Sequence, residues 1–73
     1  MRYYTLLIYQ DEELVQSTTG DLESTLEFFT DLRKVIVNGK YYEHHTVLVV
    51  KRIEDGQRIA EANWLGYCEY FEV

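Results

Sequence analysis

The chain has 73 residues, 13 of them acidic and 7 basic, and a formal net charge of −6. This length fits one domain, and the acidic excess argues against nucleic acids and anionic membranes, which require a positive footprint. Hydrophobic residues make up 47% of the sequence and aromatic residues 15%, including seven tyrosines. This composition excludes intrinsic disorder and supplies more aromatic surface than one small core needs.

The sequence gives little indication of catalysis, a metal or a cofactor. Cys68 is the only cysteine, and its neighbours predict a strand rather than the helix N-terminus or nucleophile elbow that would activate a thiol. His44 and His45 are adjacent, so on a strand they point to opposite faces and cannot share one ion. The four glycines are isolated and form no phosphate-binding loop. We therefore expect a non-enzymatic protein without a metal or a cofactor.

The beginning of the chain and its single thiol bear on the compartment. Met1 and Arg2 lead straight into a strand pattern rather than into a signal peptide. The longest apolar runs are far shorter than a membrane span. A lone thiol is typical of a reducing compartment. These features predict a cytoplasmic protein.

The first 18 residues predict a β-hairpin. Residues 2–10 are rich in β-branched and aromatic side chains, which is typical of a strand. Both faces of this strand are apolar, with Tyr4, Leu6 and Ile8 on one and Tyr3, Leu7 and Tyr9 on the other. Such a pattern predicts a central strand covered on both faces. Residues 11–13 predict a turn, and residues 14–18 predict a weaker, more polar strand at a sheet edge.

Residues 21–37 predict an amphipathic helix. Asp21, or a serine or threonine among residues 17–19, can cap its first amides. The apolar stripe consists of Leu22, Leu26, Phe29, Leu32 and Ile36, and it is widened by Phe28, Val35 and Val37. The widened stripe spans roughly 200° of arc, about twice what packing on one sheet requires. Asn38 and Gly39 predict a left-handed exit from the helix.

A second hairpin is predicted from residues 41–54 and 57–64, joined by the two-residue loop Asp55-Gly56. This loop pairs Val47 with Trp64 and Val49 with Ala62. The resulting register collects one apolar face, made of Val47, Val49, Ile53, Ala60, Ala62 and Trp64. A register one residue over sets Val49 opposite Glu61 and Arg52 opposite Arg58, which opposes like charges and mixes the faces, so we favour the first. Residues 67–73 predict a final short strand.

The predicted order is β-β-α-β-β-β, and residues 1–73 are expected to form a single small α+β domain. One amphipathic helix is predicted to pack on a four- to five-stranded, mostly antiparallel sheet. Since one helix covers only one face of a sheet, some of the apolar side chains are expected to lie outside the core.

Two groups of residues are candidates for binding another protein. Glu23, Glu27 and Asp31 recur every four positions, at intervals of about 6 Å along a helix. A nucleic-acid mimic presents acids in such a row, although ordinary solvation of a helix gives the same pattern. The second group belongs to the apolar and aromatic excess and comprises Phe28, Val35, Tyr4, Tyr9 and Tyr70. Tyrosine is enriched at protein interfaces because it buries a large area and keeps a polar tip.

These features predict a small acidic protein-binding module that forms a homodimer. Its role would be that of an inhibitor or adaptor, in the manner of small phage-encoded antagonists that compete with nucleic acid. The alternative is a binder of single-stranded nucleic acid or of a small ligand that uses an aromatic sheet face. Direct binding of nucleic acid is not expected, because the charges near the aromatic residues are largely acidic.

Overall fold

The structure is a computed structural model that describes residues 2–37 and 45–71. The elements in chain order are β1 (Tyr4–Gln10), β2 (Glu13–Gly20), α1 (Leu22–Val37), β3 (Thr46–Arg52), β4 (Arg58–Asn63) and β5 (Cys68–Tyr70). The strands form one antiparallel sheet in the order β2-β1-β3-β4-β5, and α1 packs on one of its faces. The predicted fold class and element order are therefore confirmed. The predicted helix exit at residues 38–39 and the predicted strand start at residue 41 lie outside the described residues.

The first hairpin turns through two residues with left-handed backbone. Asp11 has a φ of 53° and Glu12 a φ of 70°, as a mirror-image two-residue turn requires. Glu13, predicted to belong to the turn, is the first residue of β2. β2 lies at one end of the strand order, which confirms the predicted edge strand. Its pairing with β1 is interrupted by one bulge at Val15 of β2, opposite the step from Ile8 to Tyr9 in β1.

The helix begins where a cap is available. The Asp21 Oδ1 atom accepts a hydrogen bond of 2.8 Å from the backbone amide of Ser24, so Asp21 is the N-cap among the candidates. Phe29 and Ile36 of the predicted stripe are fully buried against the sheet, and Leu26 and Leu32 pack beside them. The predicted phase of the helix agrees with the structure from Leu26 onward, whereas Leu22, the first residue of the predicted stripe, is 38% exposed because it lies in the first turn.

The register of the second hairpin differs from the prediction. Val49 lies opposite Glu61 and Leu48 opposite Ala62, the register that the opposed charges argued against. The loop is also longer than Asp55-Gly56, because Arg52 and Gln57 are the pair that closes it, with Arg52 N to Gln57 O at 2.9 Å. Arg52 does not lie opposite Arg58, because a bulge after Val50 shifts the end of the ladder by one residue. Lys51 lies opposite Arg58 instead, so two like charges do meet in this register.

That bulge also changes which residues form the core. It adds Ile59 to β4, and Ile59 joins Ala60 and Ala62 beneath the helix. The core cluster consists of Tyr4, Leu6, Phe29, Ile36, Leu48, Val50, Ile59, Ala60 and Ala62. Val47 and Val49, predicted to share a face with the two alanines, lie on the opposite face. The prediction that the two alanines share a face with these valines is therefore wrong, although both alanines are buried below the helix as expected.

Candidate protein-binding face

The sheet face opposite the helix is apolar at its centre, and no other described element packs on it. Side chains alternate along a strand, so the residues that flank the core residues of β1 and β3 point away from α1. Leu7 pairs with Val49, and Tyr9 pairs with Val47. Together with Trp64, which follows β4, Tyr9, Val47 and Val49 line a shallow depression of about 380 Å³. Val49 itself is buried, with 6% exposure. The same depression is lined by polar and charged side chains, those of Glu12, His45, Lys51, Arg58 and Glu61. We call this surface the open face.

A second, smaller apolar region lies at the other end of the two central strands and is separated from the centre of the open face by one polar pair. Ile53 donates its backbone amide to the carbonyl of Tyr3 at 3.1 Å, which extends the β1–β3 pairing beyond the strand ends. The side chains of Tyr3 and Ile53 are each 52% exposed. Thr5 and Lys51 form the pair between them and the Leu7–Val49 pair. The prediction that both faces of β1 are covered is therefore wrong for the described residues.

An aromatic stack closes one end of the open face. The His45 and Trp64 rings lie 4.6 Å apart between centroids and 12° from parallel. The Nδ1 atom of His45 is 3.9 Å from the Oδ1 atom of Asp11, and both side chains are largely exposed. His45 and Asp11 both have a positive φ, which ordinary residues adopt only at some cost.

The rim of the open face on β4 and β5 carries paired charges. Arg58 Nη1 and Glu61 Oε1 lie 3.2 Å apart, and Glu61 stands opposite Glu69 in the ladder. Tyr67 donates its hydroxyl to Glu69. This hydrogen bond, with some burial and the negative charge of Glu69, raises the pKa of Tyr67 to about 12, so its hydroxyl stays protonated at neutral pH. The rim is polar and the centre apolar, as in a typical protein interface.

The predicted row of acids is present on the helix. Glu23, Glu27 and Asp31 are exposed, and none of them forms an ion pair with another described residue. They project from α1, whereas the open face lies on the other side of the sheet. The two predicted groups of candidate residues therefore belong to two separate surfaces.

The apolar candidates are divided between these surfaces and the core. Tyr4 is buried beneath the helix, whereas Tyr9 lies on the open face. Tyr70 is 56% exposed on the helix side, where its ring meets Phe29 edge-on with 6.0 Å between centroids. Phe28 is 37% exposed, and Val35 is half-buried. Only Tyr9 of these five residues contributes to the open face.

Three observations bear on other kinds of site. Among residues 2–37 and 45–71 no group of three histidine, cysteine or acidic side chains is placed to hold a metal ion. No helix in the same ranges is long and apolar enough to cross a membrane. Comparison with protein-family models, with curated proteins and with solved structures finds no match.

Sequence reasoning grouped Val47, Val49 and Trp64 correctly but assigned them to the covered face. The decisive feature was the bulge that adds Ile59 to β4, which the turn signal of Asp55-Gly56 does not indicate. A signal was nevertheless present, since only the other register puts Leu48 and Val50 beneath the helix. The Trp64–His45 stack had no counterpart in the sequence pattern, because both rings are placed by turns.

Proposed function

We propose that this chain is a non-enzymatic protein-binding module that acts in the cytoplasm as a homodimer. In this proposal it serves as an inhibitor or adaptor and binds a second protein through the open face. The observation that supports this most directly is the apolar centre of that face, built from Leu7, Tyr9, Val47 and Trp64 without a covering layer from the described residues. A contiguous apolar surface rimmed by polar residues is typical of an interaction site.

The chemistry of the open face suits a protein partner. Tyr9 and Trp64 provide large side chains with few rotatable bonds, which bury much area at a low cost in conformational entropy. The flanking charges of Arg58, Glu61 and Glu69 are mostly paired with neighbours or hydrogen-bonded, so they form a rim rather than a field of one sign. The cytoplasmic assignment rests on Cys68 being the only cysteine.

The acid row of α1 supports the inhibitor version. Three exposed carboxylates on one helix, Glu23, Glu27 and Asp31, would compete with a phosphate backbone for a basic groove on the partner. The acid row and the open face would then make separate contributions to binding the partner. The acid row would provide charge complementarity, and the open face would provide apolar contact area.

A second candidate function is supported by one observation on the open face. The stacked rings of Trp64 and His45 lie in the same depression as Lys51 and Arg58, a combination that single-stranded nucleic acids or a planar small ligand can use. The acidic side chains of Glu12 and Glu61 line that depression too and oppose a phosphate chain.

The proposal is tested by affinity capture from the native host with mass spectrometry. The wild-type chain is compared with Tyr9→Ser, which removes an aromatic ring from the open face, and with the triple variant Glu23→Gln, Glu27→Gln, Asp31→Asn. We expect one protein to be retained by the wild type and lost with Tyr9→Ser, while circular dichroism confirms that the variant is folded. Loss with the triple variant as well supports the inhibitor version.

A titration of labelled single-stranded oligonucleotide at low salt separates the two functions. The protein-binding proposal expects no binding. Binding that weakens steeply as salt is added, and that disappears in Trp64→Ala, would favour the nucleic-acid alternative instead.

A further inference from the structure

The exposed edge of β2 offers unused backbone hydrogen-bonding groups. β2 is eight residues long, lies at the end of the strand order and pairs on one side only, with β1. Along a strand of an antiparallel sheet, the backbone N–H and C=O groups of successive residues point alternately to the strand on one side and to the strand on the other. The carbonyl of Tyr3 accepts a hydrogen bond from Ile53, just beyond the end of β3. The backbone groups of the odd-numbered residues of β1 therefore point toward β3, and those of the even-numbered residues point toward β2. The residues opposite the odd ones, Ser17 and Thr19, therefore direct their N–H and C=O groups outward.

The part of this edge from Gln16 to Gly20 lacks the features that usually protect an edge strand. Proteins discourage edge pairing with proline, lysine, charges, bulges or very short edge strands. Residues 14–20 contain no proline and no charged side chain, and the one bulge, at Val15 of β2, ends before Gln16. The opposite edge differs, because β5 has only three residues and carries Glu69.

The absence of charge indicates which partner fits. Each chain carries a net charge of −6, so two copies repel one another over most of their surfaces. Residues 14–20 form an uncharged strip along which two like-charged copies can approach. The strip is rich in serine and threonine, side chains that pair well with themselves across antiparallel strands.

We propose that β2 pairs antiparallel with β2 of a second copy of this chain, across a two-fold axis at Thr18. This inference rests on the homodimer of the proposed function and names the surface that forms it. A two-fold axis normal to the sheet requires opposed residues to lie on the same face. Ser17 then lies opposite Thr19 of the other copy, Thr18 opposite itself and Gln16 opposite Gly20.

The register centred on Thr18 is preferred to its neighbour for a reason of charge. A register centred on Ser17 would bring Glu13, on the far side of the bulge at Val15, toward Asp21 of the other copy, where like charges repel. The register at Thr18 places Val15 opposite Asp21 and uses Ser17 and Thr19 of both copies. The two sheets of five strands join into one, and both open faces lie on the same side of it. The proposed module thus presents two binding faces together.

A disulfide at the axis tests the register. Residues in a non-hydrogen-bonded antiparallel pair have Cα atoms about 4.5 Å apart, within the range that a disulfide bridges. In a Cys68→Ala background, Thr18→Cys is expected to give a covalent dimer under mild oxidation at micromolar concentration. Thr19→Cys is the control, because it meets Ser17 of the other copy and should stay monomeric on a non-reducing gel. Equal cross-linking of both, or of neither, overturns the register.

Sedimentation equilibrium of two variants tests the surface itself. Ser17→Pro removes an outward N–H without breaking a bond to β1, and we expect it to give the monomer mass where the wild type gives the dimer mass. Ser17→Ala keeps both backbone groups and should remain dimeric. A wild type that is monomeric at about 100 μM, well above the dissociation constant expected for such a dimer, overturns the homodimer and this inference together. A Ser17→Pro variant that remains dimeric overturns this inference alone.

Discussion

Arg52 and Asp55 join the two ends of the β3–β4 loop. The Nη2 and Nε atoms of Arg52 contact the Asp55 carboxylate at 2.6 and 3.0 Å, and Asp55 Oδ1 also accepts the backbone amide of Gln57 at 3.0 Å. The hydrogen bonds from Arg52 and Gln57 lower the pKa of Asp55 to about 2. These contacts of Arg52 and Gln57 with Asp55, which we call the clamp, therefore stabilise the loop in addition to its turn geometry.

This clamp predicts a pH effect in the acid range. Because the folded-state pKa of Asp55 lies below its ordinary 3.8, the stabilising effect is present above about pH 4 and is lost as the pH falls toward 2. In Arg52→Gln, an NMR titration of the Asp55 carboxyl should give a pKa closer to 3.8. Arg58→Gln is the control, since Arg58 pairs with Glu61 and should leave the Asp55 titration unchanged. An unchanged midpoint in Arg52→Gln would show that the clamp does not form in solution.

Gly56 gives a second prediction at the residue scale. Its φ of 71° lies in the left-handed region, where a β-branched side chain is strained, although no neighbour would contact an added Cβ atom. Gly56→Val should therefore lower the free energy of unfolding by roughly 1 kcal/mol or more. Gly56→Asn should cost less, because asparagine tolerates positive φ. Coinciding denaturation curves for wild type and Gly56→Val would contradict the assigned backbone.

At the scale of elements, the helix and the second hairpin show what the sequence determines. The phase of α1 follows from 16 residues of one period, whereas the choice of Asp21 over residues 17–19 as the cap came from the structure. The β3–β4 register depends on a loop length and on a bulge. The loop closed by Arg52 and Gln57 is two residues longer than Asp55-Gly56, and a shift of two residues leaves side chains on their predicted faces. The bulge that adds Ile59 shifts the pairing by one residue, and this shift puts the alanines of β4 on the face opposite Val47 and Val49.

The helix phase gives a prediction that compares two of its positions. Phe29 is fully buried in the core cluster, whereas Glu27 is exposed. Phe29→Ala should cost about 3–5 kcal/mol through lost burial and a residual cavity, enough to unfold a domain of this size. Glu27→Ala should change stability by less than about 0.5 kcal/mol. Urea denaturation measures both, and equal effects would contradict the phase.

At the scale of the whole molecule, the excess of aromatic residues predicts apolar surface outside the core. The position of that surface is determined by which face of the sheet the helix covers. One helix covers one face, so Tyr9, Trp64 and Tyr3 remain on the other side. Composition revealed that such surface must exist because a chain of 73 residues has a small core. It could not distinguish Tyr4 from Tyr9, since that choice depends on which face of β1 the helix meets.

The proposed homodimer predicts that stability depends on both protein and salt concentration. A partner that binds only the folded chain raises its melting temperature by mass action, so the wild type should melt at a higher temperature as its concentration rises from about 1 to 100 μM. Each copy carries a net charge of −6, and raising NaCl from about 0.05 to 0.5 M screens their repulsion. Salt should therefore increase the concentration dependence.

The Ser17→Pro variant is the control for these melts. It should show the same melting temperature at every protein concentration, because it is expected to stay monomeric. The effect of salt on its melting temperature then measures only the charge repulsion within one chain. A wild-type melting temperature that is independent of concentration would contradict the dimer. In that case the open face, with Tyr9 and Trp64, would remain available to a different protein, and the affinity capture of the Tyr9→Ser variant would decide whether one binds there.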